Sequence, residues 1–420
     1  MPLGDEAAAL VSGRLQTALL RESFALVEGG TATPGDVDIV VTTTIGRRLA
    51  GAGPFEIWEQ IGWDLVQVIA GALLKEISNS AAVPASLKPT LLHQALDDRA
   101  TPAPETGADP GLILNVAVIG AGLMGHGIAL EFAASGRAVR LHDLSAELLH
   151  DAMERADVGL HALTRTGRLS ASDVNASIDR IGTSTNLVDC VGSADLVVEA
   201  ASENLALKKK IFEQLDLSAP AHAILASNTS TFLPSAYASS TNRPERVVGV
   251  HYYNPPHLLP GVEIIRGPET SDQTATTVVA LYTSIGKKPA VIQKEIQGFI
   301  GNRLQVALLR EAMSIVESGI ATAPEVDALV RTTFGKDLPN AGPFERARSA
   351  GLKATVELFE ANLPKLSNSR ELPDLLCQRV ESGELGVKTG KGFYDWTPES
   401  TETWRENMAN SLLEMATRDL

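Results

Sequence analysis

The stretch ILNVAVIGAGLMG, residues 113–125, decides the fold of the middle of this chain. Its first part is an apolar run of the length of a buried strand, and three glycines follow in a GxGxxG pattern. The first glycine permits a tight turn, the second lets a ligand approach the backbone, and the third lets a helix pack on the strand. The pattern predicts a strand, a turn and a helix that bind the pyrophosphate of a dinucleotide. The contacting residues would be Gly120, Gly122, Leu123, Met124 and Gly125.

An acidic residue follows at the position that would contact the ribose of a bound dinucleotide. Asp143 ends a second strand-like run, residues 138–143, and lies 23 residues after Gly120. A carboxylate there accepts hydrogen bonds from the ribose hydroxyls and repels a 2′-phosphate. The next two residues, Leu144 and Ser145, offer no arginine to such a phosphate. NAD is therefore the expected cofactor rather than NADP.

Further strand-like runs follow, and helical patterns separate the earlier ones. This alternation is typical of a doubly wound, largely parallel α/β sheet. The further runs are residues 194–200, 223–228, 246–253, 262–265 and 288–293.

An internal repeat surrounds this central part. GRLQTALLRESFALVEGG from Gly13 recurs as NRLQVALLREAMSIVESG from Asn302, an offset of 289 residues. Over the gapless alignment of residues 13–80 with 302–369, 31 of 68 positions are identical. Unrelated sequences match at roughly one position in twenty, so the segment is duplicated. Both copies have apolar residues at helical spacing and predict two or more amphipathic helices.

The overall composition excludes several functions. The chain has 420 residues, with 36 Lys and Arg against 51 Asp and Glu, so it lacks the basic surplus of a nucleic-acid binder. The longest apolar stretch, residues 112–130, is interrupted by glycines, so we expect no membrane span. We also expect no metal site. Two cysteines and no secretory leader favour the cytoplasm.

Four downstream segments carry groups suited to alcohol oxidation: SNTS (227–230), HYYNP (251–255), GVEII (261–265) and QGFIGNRL (297–304). A histidine at a strand end is more commonly structural than catalytic. Together, however, these segments supply an imidazole base, a carboxylate to orient it and neutral donors. Oxidation of a secondary alcohol needs this combination, because the base takes the hydroxyl proton while hydride leaves the carbon.

These segments resemble the signatures of the 3-hydroxyacyl-CoA dehydrogenases over about residues 113–396. The family's SNTS, HFFNP, LVEVI, PGFIxNRL, GPFE and KTGKGFYDY appear as SNTS, HYYNP, GVEII, QGFIGNRL, AGPFE and KTGKGFYDW. The resemblance implies NAD-dependent oxidation of an L-3-hydroxyacyl-CoA to a 3-oxoacyl-CoA, as in fatty-acid metabolism and β-oxidation. It also implies a helical domain like the C-terminal domain of 6-phosphogluconate dehydrogenase.

The resemblance also assigns roles to individual residues. His251 is the general base, Glu263 its partner, and Ser230 and Asn302 contact the substrate oxygen. Asn254 lines the same site. The positions that match cofactor contacts of the family are Glu203, Lys208, Ser230, Asn254 and Lys388.

Two alternatives stay open at this stage. The doubled proline after Asn254, together with Pro260 and Gly261, is similar to relatives that oxidise small hydroxy acids without CoA, such as the gulonate and carnitine dehydrogenases. The second alternative is a non-catalytic NAD-binding protein, as among the lambda-crystallin relatives. A purely structural role would not require His251 and Glu263, which disfavours it.

The predicted fold is α/β plus all-α, a Rossmann-type sheet flanked by two homologous helical domains. Because this helical domain mediates dimerisation in the family, we expect the N-terminal copy to act as an intrachain pseudo-partner, with homo-oligomers through other surfaces left open. Each copy lacks a residue that the other copy retains. The first has Gly13 at the position of Asn302, and the second lacks the acid that the first keeps as Asp64. The predicted boundaries are a degenerate helical copy at 1–96, a linker at 97–111, the NAD-binding domain at 112–296 and the C-terminal helical domain at 297–420.

Overall fold

The computed structural model forms two compact units. One comprises residues within 1–100 and 300–412, and the other residues within 101–299 and 413–420. The predicted linker, residues 97–111, and the GPFE segment of the second copy lie outside the described residues. The structure describes residues 4–52, 56–57, 60, 62–73, 79, 113–339, 368, 372, 374–392 and 394–418.

The second unit is built on an eight-stranded sheet with the order β3-β2-β1-β4-β5-β6-β7-β8. Only the pair β6 and β7 is antiparallel, so the expectation of a largely parallel sheet is confirmed. The strands are β1 (Asn115–Ile119), β2 (Ala138–His142), β3 (Ile181–Ser184), β4 (Leu196–Glu199), β5 (Ile224–Ser227), β6 (Val247–Tyr252), β7 (Gly261–Ile265) and β8 (Lys288–Ile292).

Strand β3 is absent from the expectations drawn from the sequence. Its sequence, Ile-Gly-Thr-Ser, is short and contains one large apolar residue, so it has no clear strand pattern. It pairs with β2 at the edge of the sheet, from Ile181 opposite Val139 to Ser184 opposite His142. An edge strand buries little, which explains why its apolar signal is weak.

Helices cover both faces of this sheet. On one face, Ala117 and Ile119 of β1 share an apolar core with Cys190, Phe212 and Tyr237. On the other, Val118 faces the helix that follows the glycine turn. The helices of this unit are α5 (Gly125–Ala134), α6 (Ala146–Arg165), α7 (Asp173–Ile178), α8 (Leu187–Val191), α9 (Leu205–Ser218), α10 (Pro234–Ala238) and α11 (Asp272–Ser284), with a short 3₁₀ turn at Pro244–Arg246.

The first unit is helical, and both copies of the repeat belong to it. The N-terminal copy contributes α1 (Asp5–Glu28), α2 (Pro34–Val40), a π-helical turn (Val41–Ile45), α3 (Gly46–Gly51) and α4 (Trp63–Leu73). The C-terminal part contributes α12 (Gly301–Glu317), α13 (Ala323–Thr332), α14 (Phe334–Asp337) and α15 (Asp374–Glu381). The last helix, α16 (Pro398–Arg418), belongs to this unit as far as Leu412.

The same local chemistry starts the second helix of each copy. Thr33 caps α2, and its side chain and backbone exchange hydrogen bonds with Asp36. Thr322 caps α13 in the same way with Glu325. Each pair forms a capping box, which satisfies two helix-terminal N–H groups. Each copy therefore contains a second helix, in agreement with the two or more helices expected of each copy.

The two copies bury their apolar faces against each other within this unit, where α1 packs on α12. Equivalent residues of the two helices, 289 positions apart, are almost completely buried: Leu15, Leu19 and Leu26 in α1, and Leu304, Leu308 and Ile315 in α12. This shared core is why the copies form one unit rather than two separate domains. Burial of apolar surface stabilises such packing by about 25 cal/mol per Å².

Close backbone contacts between the copies also occur in reciprocal pairs. A methyl group at Gly46 would lie 2.7 Å from the backbone carbon of Leu338, and one at Gly335 would lie 2.9 Å from the carbonyl oxygen of Leu49. Gly335 and Leu338 are the repeat equivalents of Gly46 and Leu49. The same glycine-to-leucine approach is therefore made in both directions.

Among the described residues, no helix is long and apolar enough to cross a membrane.

Candidate active site

The glycine turn after β1 has the geometry that a dinucleotide site requires. Gly120 adopts a φ of 105°, and a side chain there would lie 2.6 Å from the carbonyl oxygen of Ala200. A Cβ at Gly125 would lie 1.7 Å from the Gly120 oxygen, whereas one at Gly122 would meet nothing within 4 Å. The outer glycines are thus required by close packing, and Gly122 faces open space where a pyrophosphate can approach. The residues fit a bound dinucleotide.

Asp143 is joined directly to this turn. Its two carboxylate oxygens accept hydrogen bonds from the backbone N–H groups of Ala121 and Leu144, each at 2.8 Å. The side chain is therefore fixed at the carboxyl end of β2, next to the glycine turn after β1. Leu123 in the glycine turn and Leu144 after Asp143 are largely exposed apolar side chains.

His251 and Glu263 form a buried pair on neighbouring strands. They lie opposite each other in the antiparallel register of β6 and β7. The distance from His251 Nδ1 to Glu263 Oε2 is 2.6 Å, and Glu263 is completely buried. A carboxylate at Nδ1 orients the imidazole and leaves Nε2 as the nitrogen available for proton transfer. The predicted pairing of these two residues is present in the structure.

Two aromatic residues confine the imidazole. The Tyr253 hydroxyl donates to the same Glu263 oxygen at 2.8 Å, and its ring lies 4.8 Å from that of His251. The ring of Phe299 lies 5.5 Å from the ring of His251. Phe299 has a φ of 55°, a conformation that costs energy for a bulky residue and is concentrated at functional sites.

Ser230 lies in a turn that a carboxylate organises. Glu203 Oε1 accepts hydrogen bonds from the Thr229 hydroxyl at 2.5 Å and from the N–H groups of Ser230 and Thr231 at 3.1 and 3.0 Å. These hydrogen bonds to Glu203 therefore stabilise the backbone conformation of the SNTS turn after β5. Asn228, in the same turn, accepts from the backbone N–H of Tyr252 and ties the end of β5 to β6.

A buried cluster beneath this turn was not predicted from the sequence. Lys208 is 1% exposed, and its Nζ lies 2.8 and 3.0 Å from the two oxygens of Glu199 and 3.2 Å from Glu203. Ser227 also donates to Glu199, at 2.5 Å. Lys208 is therefore buried beneath the turn. Glu203, which was also predicted as a cofactor contact, is exposed. The sequence signal that could have revealed this cluster is a glutamate at the end of an apolar strand, nine residues before a lysine.

The segment after His251 is held by a second buried ion pair that was not predicted. Lys287 is completely buried and lies 2.8 Å from Glu131. Its ammonium donates to the carbonyl oxygens of Pro256 and Leu259, and burial lowers the pKa of Lys287. These bonds anchor the loop that follows Asn254, whose side chain is exposed.

The remaining predicted site residues belong to the helical unit. Asn302 lies in the first turn of α12 and is half-buried. Lys388 lies in the KTGKGFYDW segment, where its Nζ contacts both oxygens of Asp64 at 2.8 and 3.0 Å. No cluster of potential metal ligands occurs in the part of the chain that the structure describes.

Family models match nearly the whole chain. The 3-hydroxyacyl-CoA dehydrogenase NAD-binding domain matches residues 115–296. The C-terminal domain of the same family matches twice, at residues 10–103 and 298–396. The second match agrees with the repeat seen in the sequence.

The matches between this chain and individual relatives cover almost the full length of each relative. A probable 3-hydroxybutyryl-CoA dehydrogenase of Bacillus subtilis is 37% identical over 285 residues, 68% of this chain and 98% of that protein. The crystal structure of a 5-formyl-3-hydroxy-2-methylpyridine 4-carboxylic acid 5-dehydrogenase, described as an NAD⁺-dependent dismutase, has a TM-score of 0.69. It is 31% identical and covers 72% of this chain and 97% of its own.

A third relative is the (S)-3-hydroxybutyryl-CoA dehydrogenase PaaH1 of Ralstonia eutropha. Its crystal structure has a TM-score of 0.56 and 33% identity, and the match covers 68% of this chain and 99% of PaaH1. With the glycine turn, Asp143 and the paired His251 and Glu263 in place, these matches agree with the site geometry. The chain belongs to the 3-hydroxyacyl-CoA dehydrogenase family and is an NAD-dependent oxidoreductase.

Proposed function

We propose that this protein oxidises L-3-hydroxyacyl-CoA thioesters to 3-oxoacyl-CoA, with His251 as the general base and Glu263 as its partner. The observation that carries the proposal is the 2.6 Å contact between His251 Nδ1 and the buried Glu263 carboxylate. A buried carboxylate stabilises the imidazolium that forms when the base takes a proton. A histidine with a purely structural role would not need this arrangement.

The proposed reaction follows from these groups. His251 Nε2 removes the hydroxyl proton of the substrate, and the C–O bond becomes a carbonyl as hydride leaves the same carbon. NAD, which the glycine turn at Gly122 and the carboxylate of Asp143 would hold, would supply the hydride acceptor. Glu263 keeps the imidazole in place through Nδ1, and Ser230 and Asn302 donate hydrogen bonds to the substrate oxygen. Phe299 and Tyr253 restrict water around the base.

The chain's own residues select the cofactor. The open side of Gly122 and the N-terminus of α5 receive the pyrophosphate. Asp143 binds the adenosine ribose and repels a 2′-phosphate. Glu203 joins the cofactor side of the site through the turn that carries Ser230. The loop that carries Asn254 is kept in place by Lys287.

The N-terminal copy acts as an internal substitute for a partner subunit. It has Gly13 at the position of Asn302, and the NAD-binding family model matches elsewhere in the chain, so it is not a second active site. Its contacts with the C-terminal copy are reciprocal, which is the pattern that a twofold interface between identical subunits produces. We therefore propose an intrachain pseudo-dimer.

The metabolic setting follows from the substrate. Oxidation of 3-hydroxyacyl-CoA is a step of fatty-acid degradation by β-oxidation, which is the process we propose. Cys190 and Cys377 are both free thiols. Free thiols are typical of a reducing compartment, so we propose the cytoplasm.

The substrate class is tested by NADH oxidation with acetoacetyl-CoA, free acetoacetate and other short keto acids in parallel. The proposal expects turnover of the CoA thioester with a kcat/KM at least tenfold above that of any free acid. Turnover of the free acids alone would refute the CoA assignment and favour a small hydroxy acid as substrate. The absence of turnover with every compound, in a protein that binds NADH, would point to a non-catalytic role.

A further inference from the structure

Two side chains outside the GxGxxG motif hold the backbone of the glycine turn. Arg155 of α6 donates from Nη2 to the carbonyl oxygen of Ala121 at 2.9 Å. His126 of α5 contacts the carbonyl oxygen of Gly122 through Nδ1, also at 2.9 Å. Since a carbonyl oxygen can only accept a hydrogen bond, Nδ1 of His126 is the donor. The carbonyl groups of Ala121 and Gly122 are therefore both bound to side chains of the protein.

The position of His126 in its helix explains why it reaches Gly122. It is the second residue of α5 and follows Gly122 by four positions. Side chains of a helix lean towards its N-terminus, so the imidazole lies over the residues that precede α5. The residue is 8% exposed, and burial lowers the pKa of His126. The imidazole is therefore neutral at pH 7, with its one proton on Nδ1.

Arg155 reaches the turn because α5 and α6 pack closely. An added methyl group at Gly159 of α6 would lie 2.6 Å from Leu130 Cδ2 of α5. Residues four positions apart share one face of a helix, so Arg155 lies on the same side of α6 as Gly159. This close approach brings the guanidinium to the carbonyl oxygen of Ala121. The N–H of Ala121 donates to Asp143, so charged side chains bind both polar backbone groups of Ala121.

We propose that Arg155 and His126 are positioning residues for the pyrophosphate of NAD. This rests on the proposed function, in which the turn at Gly122 receives that pyrophosphate. A carbonyl oxygen carries partial negative charge and repels an anion that it faces, whereas backbone N–H groups at a helix N-terminus attract one. Arg155 and His126 bind the two carbonyl oxygens and so leave the N–H groups of the turn and of α5 to the pyrophosphate. Arg155 also adds a positive charge beside the turn.

The test compares the Kd values of three ligands on the full-length chain: NADH by its fluorescence, and ADP and adenosine by competition with NADH. ADP contains the pyrophosphate, and adenosine lacks it. Arg155→Met should weaken the binding of NADH and of ADP about fivefold to tenfold, because it removes a charge-assisted hydrogen bond. His126→Ala removes a neutral hydrogen bond and should weaken both about threefold to fivefold. Adenosine, which ends at the ribose that Asp143 binds, should keep its Kd within about twofold.

Conservative variants and exposed controls separate positioning from other effects. Arg155→Lys keeps the charge and a donor, and His126→Asn places an amide N–H close to the position of Nδ1. Each should recover most of the affinity for NADH and ADP. Arg165→Met and His150→Ala change exposed residues of the same α6 and should leave all three Kd values unchanged.

The outcomes distinguish this proposal from the proposed function. An equal loss of affinity for all three ligands would show that the two side chains only support the fold, which would overturn the proposal. Unchanged NADH binding in either Arg155→Met or His126→Ala would refute the assignment of that residue. Because these measurements need no substrate, they are independent of the substrate class. Failure of the wild-type chain to bind NADH would instead refute the cofactor site of the proposed function.

Discussion

Arg14 Nε donates to Glu311 Oε1 over 2.5 Å, although the two residues are 297 positions apart. Both side chains are almost fully buried. The repeat equivalents of Arg14 and Glu311 are Arg303 and Glu22, and these form the same ion pair at 2.7 Å, also buried. Each copy therefore provides one arginine and one glutamate to the other. Such an exchange is the mark of a twofold relationship between equivalent surfaces.

The reciprocity predicts matched losses of stability. Arg14→Ala and Arg303→Ala should each lower the free energy of unfolding by about 3 kcal/mol, because each change removes an arginine that contacts a buried glutamate. Urea unfolding followed by circular dichroism measures this. Arg405→Ala removes an exposed arginine 3.6 Å from Glu402 and should cost less than about 0.5 kcal/mol. A large loss for one of the two buried arginines and none for the other would contradict the twofold relationship.

Removal of the N-terminal copy should expose the face that it covers. A chain that begins at Gly111 would present Leu304, Leu308 and Ile315 to water, and these side chains are now almost fully buried. It should dimerise or aggregate, as measured by light scattering coupled to size-exclusion chromatography. A soluble, fully active monomer would show that the N-terminal copy is dispensable.

The buried cluster beneath the SNTS turn predicts that Glu199 supports both fold and site. Glu199→Gln removes the charge that faces Lys208 and should lower the free energy of unfolding by about 3 kcal/mol. The conservative control is Glu213→Gln on the same helix as Lys208, since Glu213 is exposed and its loss should cost less than about 0.5 kcal/mol. Equal stability of the two variants would show that the buried charge is not required.

Asp143 predicts the choice of cofactor. Wild-type protein should prefer NAD over NADP at least tenfold in kcat/KM, which corresponds to about 1.4 kcal/mol. Asp143→Ala should reduce this preference by weakening NAD and relieving the repulsion of a 2′-phosphate. Asp151→Asn, an exposed change on α6, is the control and should leave the ratio intact. Equal kcat/KM values for the two cofactors in wild type would refute the role of Asp143.

Local patterns in the sequence predicted much of the fold. The apolar run before Gly120 and the helical spacing of α1 and α12 act over a few residues, so they are visible without a structure. The edge strand β3 was missed because Ile181–Ser184 carries little apolar signal. The π-helical turn at Val41–Ile45 was also missed, since its sequence is compatible with an ordinary helix.

The site was predictable where a motif fixes its geometry. His251 and Glu263 were paired from the sequence and lie opposite each other on β6 and β7. The ion pair of Asp64 with Lys388 was not predicted, because it depends on how two distant segments pack. Glu199 was missed for a different reason: a glutamate at the end of an apolar strand looks like an exposed strand end until its partners are known.

We propose His251 as the general base of the reaction, and its replacement tests this role most directly. The kcat for reduction of acetoacetyl-CoA by NADH is compared between wild type, His251→Gln and His222→Gln, with the Kd for NADH measured in each. His222 is a largely exposed histidine that also contacts a carboxylate, Asp195. We predict a loss of about a hundredfold or more for His251→Gln, an unchanged kcat for His222→Gln, and similar NADH binding in all three. A kcat near the wild-type value in a folded, NADH-binding His251→Gln protein would contradict the claim.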